Sequence, residues 1–297
     1  MVTMPSLYQP YLFCDVKAEL GECPRWNALE RSLYWVDIAA RTLHRIGPDG
    51  TDSETRTFAA PVACFAFHRD GGLVLGMKNG CARIDHWNAD PRPFGPQILA
   101  GKPHHRMNDG RTDSAGRFWV GSVNSAKDAP DATLYRLDPD ASLTEIESGM
   151  TTCNGAAFSA DGSRFAHADT PSHAVRVYAV DAGTGTLADM RILHQFEHGT
   201  GRPDGGSFDA DGNYWTALFD GGRVVQIAPD GQILRTVLLP VSRPTMIAFG
   251  GDDRCTAFVT SAWAGLDAAA RAAQPLAGGI FAFRVETPGL AEHRFAA

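Results

Sequence analysis

The chain has 297 residues, of which 44% are hydrophobic and 21% charged, values typical of a globular protein with a large core and unlike those of a disordered chain. Its formal net charge of −7 argues against nucleic acid or an anionic membrane as the main partner. No segment approaches the roughly 18 uninterrupted apolar residues of a membrane span. The N-terminal stretch does not resemble a secretory signal, so a cytoplasmic location is expected.

Along the chain, short runs of apolar or aromatic residues recur, and each run follows a polar turn. They lie at 32–38, 72–77, 117–122, 164–169, 213–218 and 256–261, and each is followed by a second run that often ends in a tight turn. The interval of about 40 to 50 residues is the length of a four-stranded propeller blade. The repeat therefore predicts an all-β, six-bladed β-propeller with four-stranded blades, formed by residues 1–297 as a single domain.

The alternative architecture is an all-β sandwich or barrel, which gives no reason for a unit to recur six times. Glycine-containing turns such as DG and GG between the runs indicate hairpins. Only the alanine-rich stretch 265–276 is compatible with a short helix, which Pro275 would end.

The cysteines are scattered without a C-x-x-C pair. This spacing favours neither a disulfide framework nor a zinc ribbon, so reduced and mostly buried thiols are expected.

Four residues with oxygen-bearing side chains precede the centre of a run by a similar distance. They stand eleven to thirteen residues before Trp35, Trp119, Ala166 and Trp215, and they are Glu22, Asn108, Asn154 and Asp204. In a propeller this position falls at the start of the innermost strand, where equivalent residues of different blades converge on the central channel. A single Asn or Asp beside a glycine ordinarily forms a turn. Because all four residues precede their runs by a similar number of residues, a common site is favoured.

Two carboxylates and two amides in one channel would repel one another and lose hydration. A divalent cation removes that conflict, because the carboxylates offset its charge and amide oxygens add neutral ligands. Such a set suits Ca²⁺, Mg²⁺ or Mn²⁺, and Zn²⁺ or Fe²⁺ are also compatible with it.

The motifs around these residues resemble the senescence marker protein / gluconolactonase / luciferin-regenerating enzyme family, also called regucalcin-like. The matching pieces follow the family order through almost the whole chain and are LGECPRW, RMNDGRTDSAGRFWVGS, CNGAAFSADG, RPDGGSFDADGNYWTALFDGGRV, FGGDD and PLAGGIF. The resemblance implies a six-bladed propeller with one divalent metal ion in its channel, held by Glu22, Asn154 and Asp204. It also implies that Arg106 and Asn108 bind the substrate, and the chain looks like the bacterial sugar lactonase branch.

Two departures from the family pattern stand out. Cys23 occupies a position where the family commonly has glycine, and strand alternation predicts that it packs rather than binds metal. Where animal members carry an acidic substrate contact, this chain has Ala126 and Lys127. The second departure bears on which sugar is bound.

The function expected from this resemblance is metal-dependent hydrolysis of an aldonolactone, a small sugar lactone, to the open acid. A cation would polarise the carbonyl, and Asp204 would be the general base. One alternative is a non-catalytic propeller that binds calcium or a partner. Another is a hydrolase of organophosphates or larger lactones, against which Arg106 argues. No oligomeric state is predicted.

Three further features of the sequence bear on the site. No G-x-S-x-G motif indicates a serine esterase. His104 and His105 are adjacent, so in a strand they would diverge, which favours a loop or hydrogen-bonding role over metal binding. Asp169 is interpreted as a turn residue at a strand end, with support of the site as the alternative.

Overall fold

The polar turns between the apolar runs form hairpins. A computed structural model describes residues 6–296 and shows 24 strands in this range, arranged as six four-stranded antiparallel sheets. The strands are β1 (Tyr11–Cys14), β2 (Gly21–Asn27), β3 (Ser32–Asp37), β4 (Thr42–Ile46), β5 (Glu54–Thr57), β6 (Val62–Phe67), β7 (Leu73–Met77), β8 (Cys81–Ile84), β9 (Arg92–Pro93), β10 (His105–Thr112), β11 (Phe118–Asn124), β12 (Ala132–Leu137), β13 (Leu143–Met150), β14 (Cys153–Phe158), β15 (Arg164–Asp169), β16 (Ala174–Asp181), β17 (Thr186–Gln195), β18 (Arg202–Phe208), β19 (Tyr214–Phe219), β20 (Arg223–Ile227), β21 (Ile233–Leu238), β22 (Pro244–Gly250), β23 (Thr256–Ser261) and β24 (Ile280–Arg284).

Each of the first five blades is a simple meander of consecutive strands, beginning at β2, β6, β10, β14 and β18. The sixth blade has the order β1-β24-β23-β22, because the N-terminal strand pairs with the last strand, with Tyr11 opposite Ala282. The N-terminal strand and the last strand therefore complete one blade together and close the ring. The predicted six-bladed propeller is confirmed.

The first strand of every blade is the innermost. These six strands contact one another in sequence around the ring, from β2 through β6, β10, β14 and β18 to β22 and back to β2. They are almost wholly buried, whereas the outer strands β5 and β21 are mostly exposed. The residues that enclose the channel therefore come from six distant parts of the sequence.

A recurrent turn explains part of the repeat. Between β18 and β19, Gly212 adopts a positive φ of 79°, a conformation open to glycine at low cost. The carboxylate of Asp209 at the start of this turn accepts a hydrogen bond from Trp215 Nε1 at 3.0 Å, and Asp113 accepts one from Trp119 Nε1 at 2.8 Å in the third blade. Both tryptophans are fully buried. The aspartate thus links each turn to the core of its blade.

The predicted helix is present as α1 (Ala268–Ala273), the only α-helix in residues 6–296. Its first turn is capped by Asp267 Oδ1, which accepts a hydrogen bond from Ala270 N at 2.8 Å, and Pro275 follows its end. No helix in the described range has the length and apolar character needed to cross a membrane. All six cysteines are free thiols, and four of them are buried.

Candidate functional site

The inner strands share an irregularity that places polar side chains in the channel. In each of them the pairing register shifts, which marks a β-bulge. In β10, for example, Asn108 and Asp109 together stand opposite Gly121, because Met107 pairs with Ser122 and Gly110 pairs with Val120. A bulge interrupts the alternation of side chains and redirects them. The bulges therefore position the candidate residues.

The five residues predicted to form the site line a single cavity. It has a volume of about 250 Å³ and opens at the end of the ring where the inner strands begin. Its lining includes Glu22, Arg106, Asn108, Asn154 and Asp204. Asn108, Asn154 and Asp204 are buried, and Glu22 and Arg106 are partly buried. The structure thus brings all of them together.

A chain of hydrogen bonds fixes the two amides. Asn108 Nδ2 donates to Asn154 Oδ1 at 2.7 Å and to the carbonyl of Cys153 at 2.9 Å. Asn154 Nδ2 donates to Thr170 Oγ1 at 2.8 Å, and that hydroxyl donates in turn to the carbonyl of Pro203 at 2.8 Å. Because each donor has a defined partner, the orientation of the Asn154 amide is determined. Thr170, which sequence reasoning did not identify, is therefore part of the site.

Arg106 points into the same cavity. Its Nη1 donates to Asn108 Oδ1 at 2.5 Å and to the carbonyl of Met107 at 2.9 Å. Within residues 6–296 it forms no ion pair with a carboxylate, so its positive charge is held by neutral acceptors. A guanidinium in this position can donate to hydroxyl or carbonyl oxygens of a small molecule.

The two carboxylates of the site share their cavity with basic side chains but are not neutralised by a direct contact with one. Neither Glu22 nor Asp204 forms an ion pair in the described part of the chain, and the buried Asp204 Oδ1 has no hydrogen-bond partner there. Burial raises the pKa of Asp204 well above its ordinary value, and the charge of Asp109 adds to this, while Arg202 opposes it. Burial and the charge of Asp204 likewise raise the pKa of Glu22. A buried carboxylate such as Asp204 is costly when it has no ion-pair partner.

This donor set fits a hard divalent cation. Two carboxylates, one with an unused oxygen, face an amide whose oxygen is held in place, and oxygen ligands are those that such ions prefer. Among residues 6–296 no three His, Cys, Asp or Glu side chains form a metal-binding group. A cation bound here would therefore need the neutral amide of Asn154 as its third ligand from the chain.

Asp109 lies beneath the site and was not identified from sequence. Its Oδ1 accepts the N–H of Gly110 at 2.7 Å and its Oδ2 accepts the N–H of Ala156 at 2.9 Å, so it joins the bulges of β10 and β14. Strand alternation predicts opposite directions for Asn108 and its neighbour, and the bulge overrides that rule. The Nη2 of Arg25 lies 3.8 Å from the Asp109 carboxylate.

The opposite end of the channel contains a network of ion pairs. Glu292, from the segment that follows the last strand, forms an ion pair with Arg111, and its Oε2 lies 3.7 Å from Arg25 Nε. Arg111 also donates to Ser207 Oγ at 2.7 Å. The C-terminal segment is thereby attached to the inner strands.

The remaining candidates have other roles. Cys23 is buried with a positive φ of 50°, and its sulfur accepts the N–H of Phe65 at 3.4 Å, so it packs in the core as expected. His104 is exposed, and His105 is buried with Nε2 2.9 Å from Asp131 Oδ1; neither lines the cavity.

Asp169 combines the two roles considered for it. It ends β15, and its Oδ1 accepts the N–H groups of Thr151 and Thr152 at 3.1 and 2.8 Å. These residues lead directly into β14, so Asp169 also supports the strand that carries Asn154.

Comparisons with known proteins agree with this architecture. Residues 20–263 match the family model described as SMP-30/Gluconolactonase/LRE-like region, and the chain belongs to that family. It is 39% identical over 279 residues to 6-deoxy-6-sulfogluconolactonase of Pseudomonas putida, covering 93% of this chain and 95% of that protein. It is 32% identical over 284 residues to a pentonolactonase of Haloferax volcanii, with coverage of 94% and 96%.

A solved structure shares the fold over its full length. The regucalcin of Agrobacterium tumefaciens, described as a calcium-binding protein, superimposes with a TM-score of 0.92 and covers 99% of both chains at 23% identity. At that identity the likeness establishes the six-bladed ring alone.

Proposed function

We propose that this protein is a sugar lactonase that opens an aldonolactone to the aldonic acid, with a divalent cation held by Glu22, Asn154 and Asp204. The observation that carries the proposal is the carboxylate pair Glu22 and Asp204, which meets a fixed amide oxygen in a cavity and forms no ion pair within the described residues. Relatives at 39% and 32% identity over nearly their whole length are named as lactonases, which supports the reaction type.

The residues divide the work according to their chemistry. When bound, the cation would act as a Lewis acid toward the lactone carbonyl. Arg106 donates hydrogen bonds to the sugar, and Asn108, fixed between Arg106 and Asn154, orients it. Asp204 Oδ1, which has no other partner in the described residues, accepts a proton from the attacking water.

The proton balance follows from these roles. The water oxygen bonds to the carbonyl carbon, the bond from that carbon to the ring oxygen breaks, and the proton held by Asp204 passes to the departing oxygen, which becomes a hydroxyl group. The new carboxylic acid ionises near neutral pH, so one proton is released for each turnover.

A location in the cytoplasm stays a prediction of the sequence.

Proton release therefore provides the test. Protein freed of metal by a chelator is assayed on pentono- and hexonolactones, then again after separate addition of Ca²⁺, Mg²⁺, Mn²⁺, Zn²⁺ or Fe²⁺. Turnover of a sugar lactone that stops on chelation and returns with one of these ions is the expected result. Metal binding without turnover of any lactone would instead support the non-catalytic, calcium-binding alternative.

A further inference from the structure

The charges that line the cavity are unevenly distributed. Among residues 6–296, the acidic residues that line it are Glu22 and Asp204 alone, and the proposed function assigns both to the cation. Three basic residues also line it: Arg106, Lys127 and Arg202. Once a divalent cation offsets the two carboxylates, the rest of the ionisable lining is positive, although the chain as a whole carries −7.

Lys127 has no partner for its ammonium group. It is exposed in the loop between β11 and β12, and its side chain forms no hydrogen bond or ion pair with residues 6–296. The acidic neighbours in this loop are already engaged. Asp128 and Asp131 each accept a hydrogen bond from Asn124 Nδ2, at 2.8 and 2.9 Å, and Asp131 also pairs with His105.

Arg202 belongs to a group with a surplus of positive charge. It shares one carboxylate, that of Asp220, with Arg243, whose Nε donates to it at 2.6 Å. The guanidinium of Arg202 also lies over the ring of Phe219, 5.3 Å from its centroid, and both residues line the cavity. Two arginines on one aspartate leave one positive charge uncompensated beside the cavity.

We propose that the lactone hydrolysed here carries an anionic substituent, a sulfonate, phosphate or carboxylate, away from its carbonyl carbon, and that Lys127 and Arg202 bind that group. This inference rests on the proposed function. Hydrogen bonds between an ammonium or guanidinium and such an anion are strong for their size. A positive rim on an acidic protein also concentrates anionic substrates at the cavity and repels cationic ones.

The test compares lactones that differ in one group. Glucono-1,5-lactone and its neutral 6-O-methyl ether are measured beside the 6-phosphate, the 6-deoxy-6-sulfonate and the 1,5-lactone of glucaric acid, in the metal-loaded wild type. We expect kcat/KM to be about tenfold higher for at least one anionic lactone than for the neutral pair, through a lower KM. Raising the ionic strength should reduce this preference.

Variants assign the preference to Lys127. Lys127→Gln should lower the ratio of kcat/KM for anionic lactones to kcat/KM for neutral lactones about fivefold to tenfold. Lys127→Arg should retain most of this ratio, because arginine keeps the positive charge. Both lactones are measured with the same variant protein, so a general loss of activity does not change the ratio. Arg69→Gln is the matched control. It removes one positive charge from an exposed residue in the turn between β6 and β7, at the opposite end of the ring, and should leave activity and ratio unchanged.

The outcomes separate this inference from the proposed function. Equal or better hydrolysis of the neutral lactones, or a ratio that Lys127→Gln does not change, overturns the anionic substrate while metal-dependent lactonase activity stands. Failure to hydrolyse any of the lactones with any metal ion overturns both.

Discussion

The two ends of the channel bury carboxylates in opposite ways. At the open end, Asp204 has no ion pair in the described residues, and burial raises its pKa. The opposite end, where Glu292 of the C-terminal segment pairs with Arg111, is called the closed end. There, burial alone would raise the pKa of Glu292, but the charges of Arg111 and Arg25 bring it below its ordinary value. The two groups are chemically alike. The missing ion pair, rather than burial, distinguishes the candidate site.

This difference has an energetic consequence. A buried ionised carboxylate without a partner destabilises the folded state. Removing one partner from a buried ion pair also destabilises it, because the remaining charge is then buried without a partner. Substitutions that remove a negative charge should therefore have opposite effects on stability at the two ends.

The largest expected effect is on turnover. Asp204→Asn should lower kcat by about 10³-fold, because it removes the proposed base and a ligand. In metal-free buffer the variant should be at least as stable as wild type, since it relieves an unpaired buried charge. Proton release and thermal unfolding, each with and without added metal, measure the two effects, and the rise in Tm caused by metal should disappear.

Asp209 supplies the contrast for that experiment. It is fully buried in the turn that follows β18, at the other end of that strand from Asp204, and its carboxylate accepts hydrogen bonds from Asn213, Trp215 and Gln226. Asp209→Asn should destabilise the protein and preserve its response to metal. If metal-free Asp204→Asn melted well below metal-free wild type, the open end would not be strained as described.

Removing the charge at the closed end should mainly affect stability. Glu292→Gln leaves the buried Arg111 without its carboxylate and Arg25 with Asp109 alone, which should cost about 3 kcal/mol in the free energy of unfolding. The measurement is urea denaturation in metal-free buffer. Glu286→Gln, an exposed residue of the same C-terminal region, should change stability by about 0.5 kcal/mol or less. Equal effects of the two substitutions would contradict the ion-paired network.

The sequence located the five predicted residues at the open end and none of the ion-paired residues at the closed end. The repeat located the second strand of every blade, because each combines an apolar run with a preceding turn, as at 213–218 and in β19. Asn154 and Asp204 were predictable because they precede these runs by nearly the same number of residues in their respective blades.

Other parts of the site had no such signal. Asp109 enters the channel only because a bulge breaks strand alternation, and a bulge leaves no periodic mark in the sequence. Thr170 reaches Asn154 from the following hairpin, and Glu292 comes from the end of the chain, outside the repeat. Such contacts follow from tertiary structure.

Thr170 tests whether the open end is a preformed site. Thr170→Val removes the hydroxyl that accepts from Asn154 Nδ2 and donates to Pro203, so the amide loses its fixed orientation. Metal affinity should fall about tenfold, as is typical for the loss of a group that orients a ligand. Calorimetric titration with the activating metal measures this. Thr170→Ser keeps the hydroxyl and should restore affinity; equal losses in both variants would argue for a packing role.

The smallest effect concerns pH at the closed end. The pKa of Glu292 in the folded protein lies below its ordinary value of 4.5, so the folded state favours the ionised form. Its contribution to stability is present above about pH 4.5 and is lost as pH falls through the folded pKa. The difference in unfolding free energy between wild type and Glu292→Gln should therefore shrink from pH 6 to pH 3.5, by less than about 1.4 kcal/mol per pH unit. Urea denaturation of both proteins at each pH gives this difference, in which the titration of other groups cancels to first order. A constant difference would mean that Glu292 is bound with the same strength whether or not it is ionised, and the contrast between the two ends of the channel would then be one of packing rather than charge.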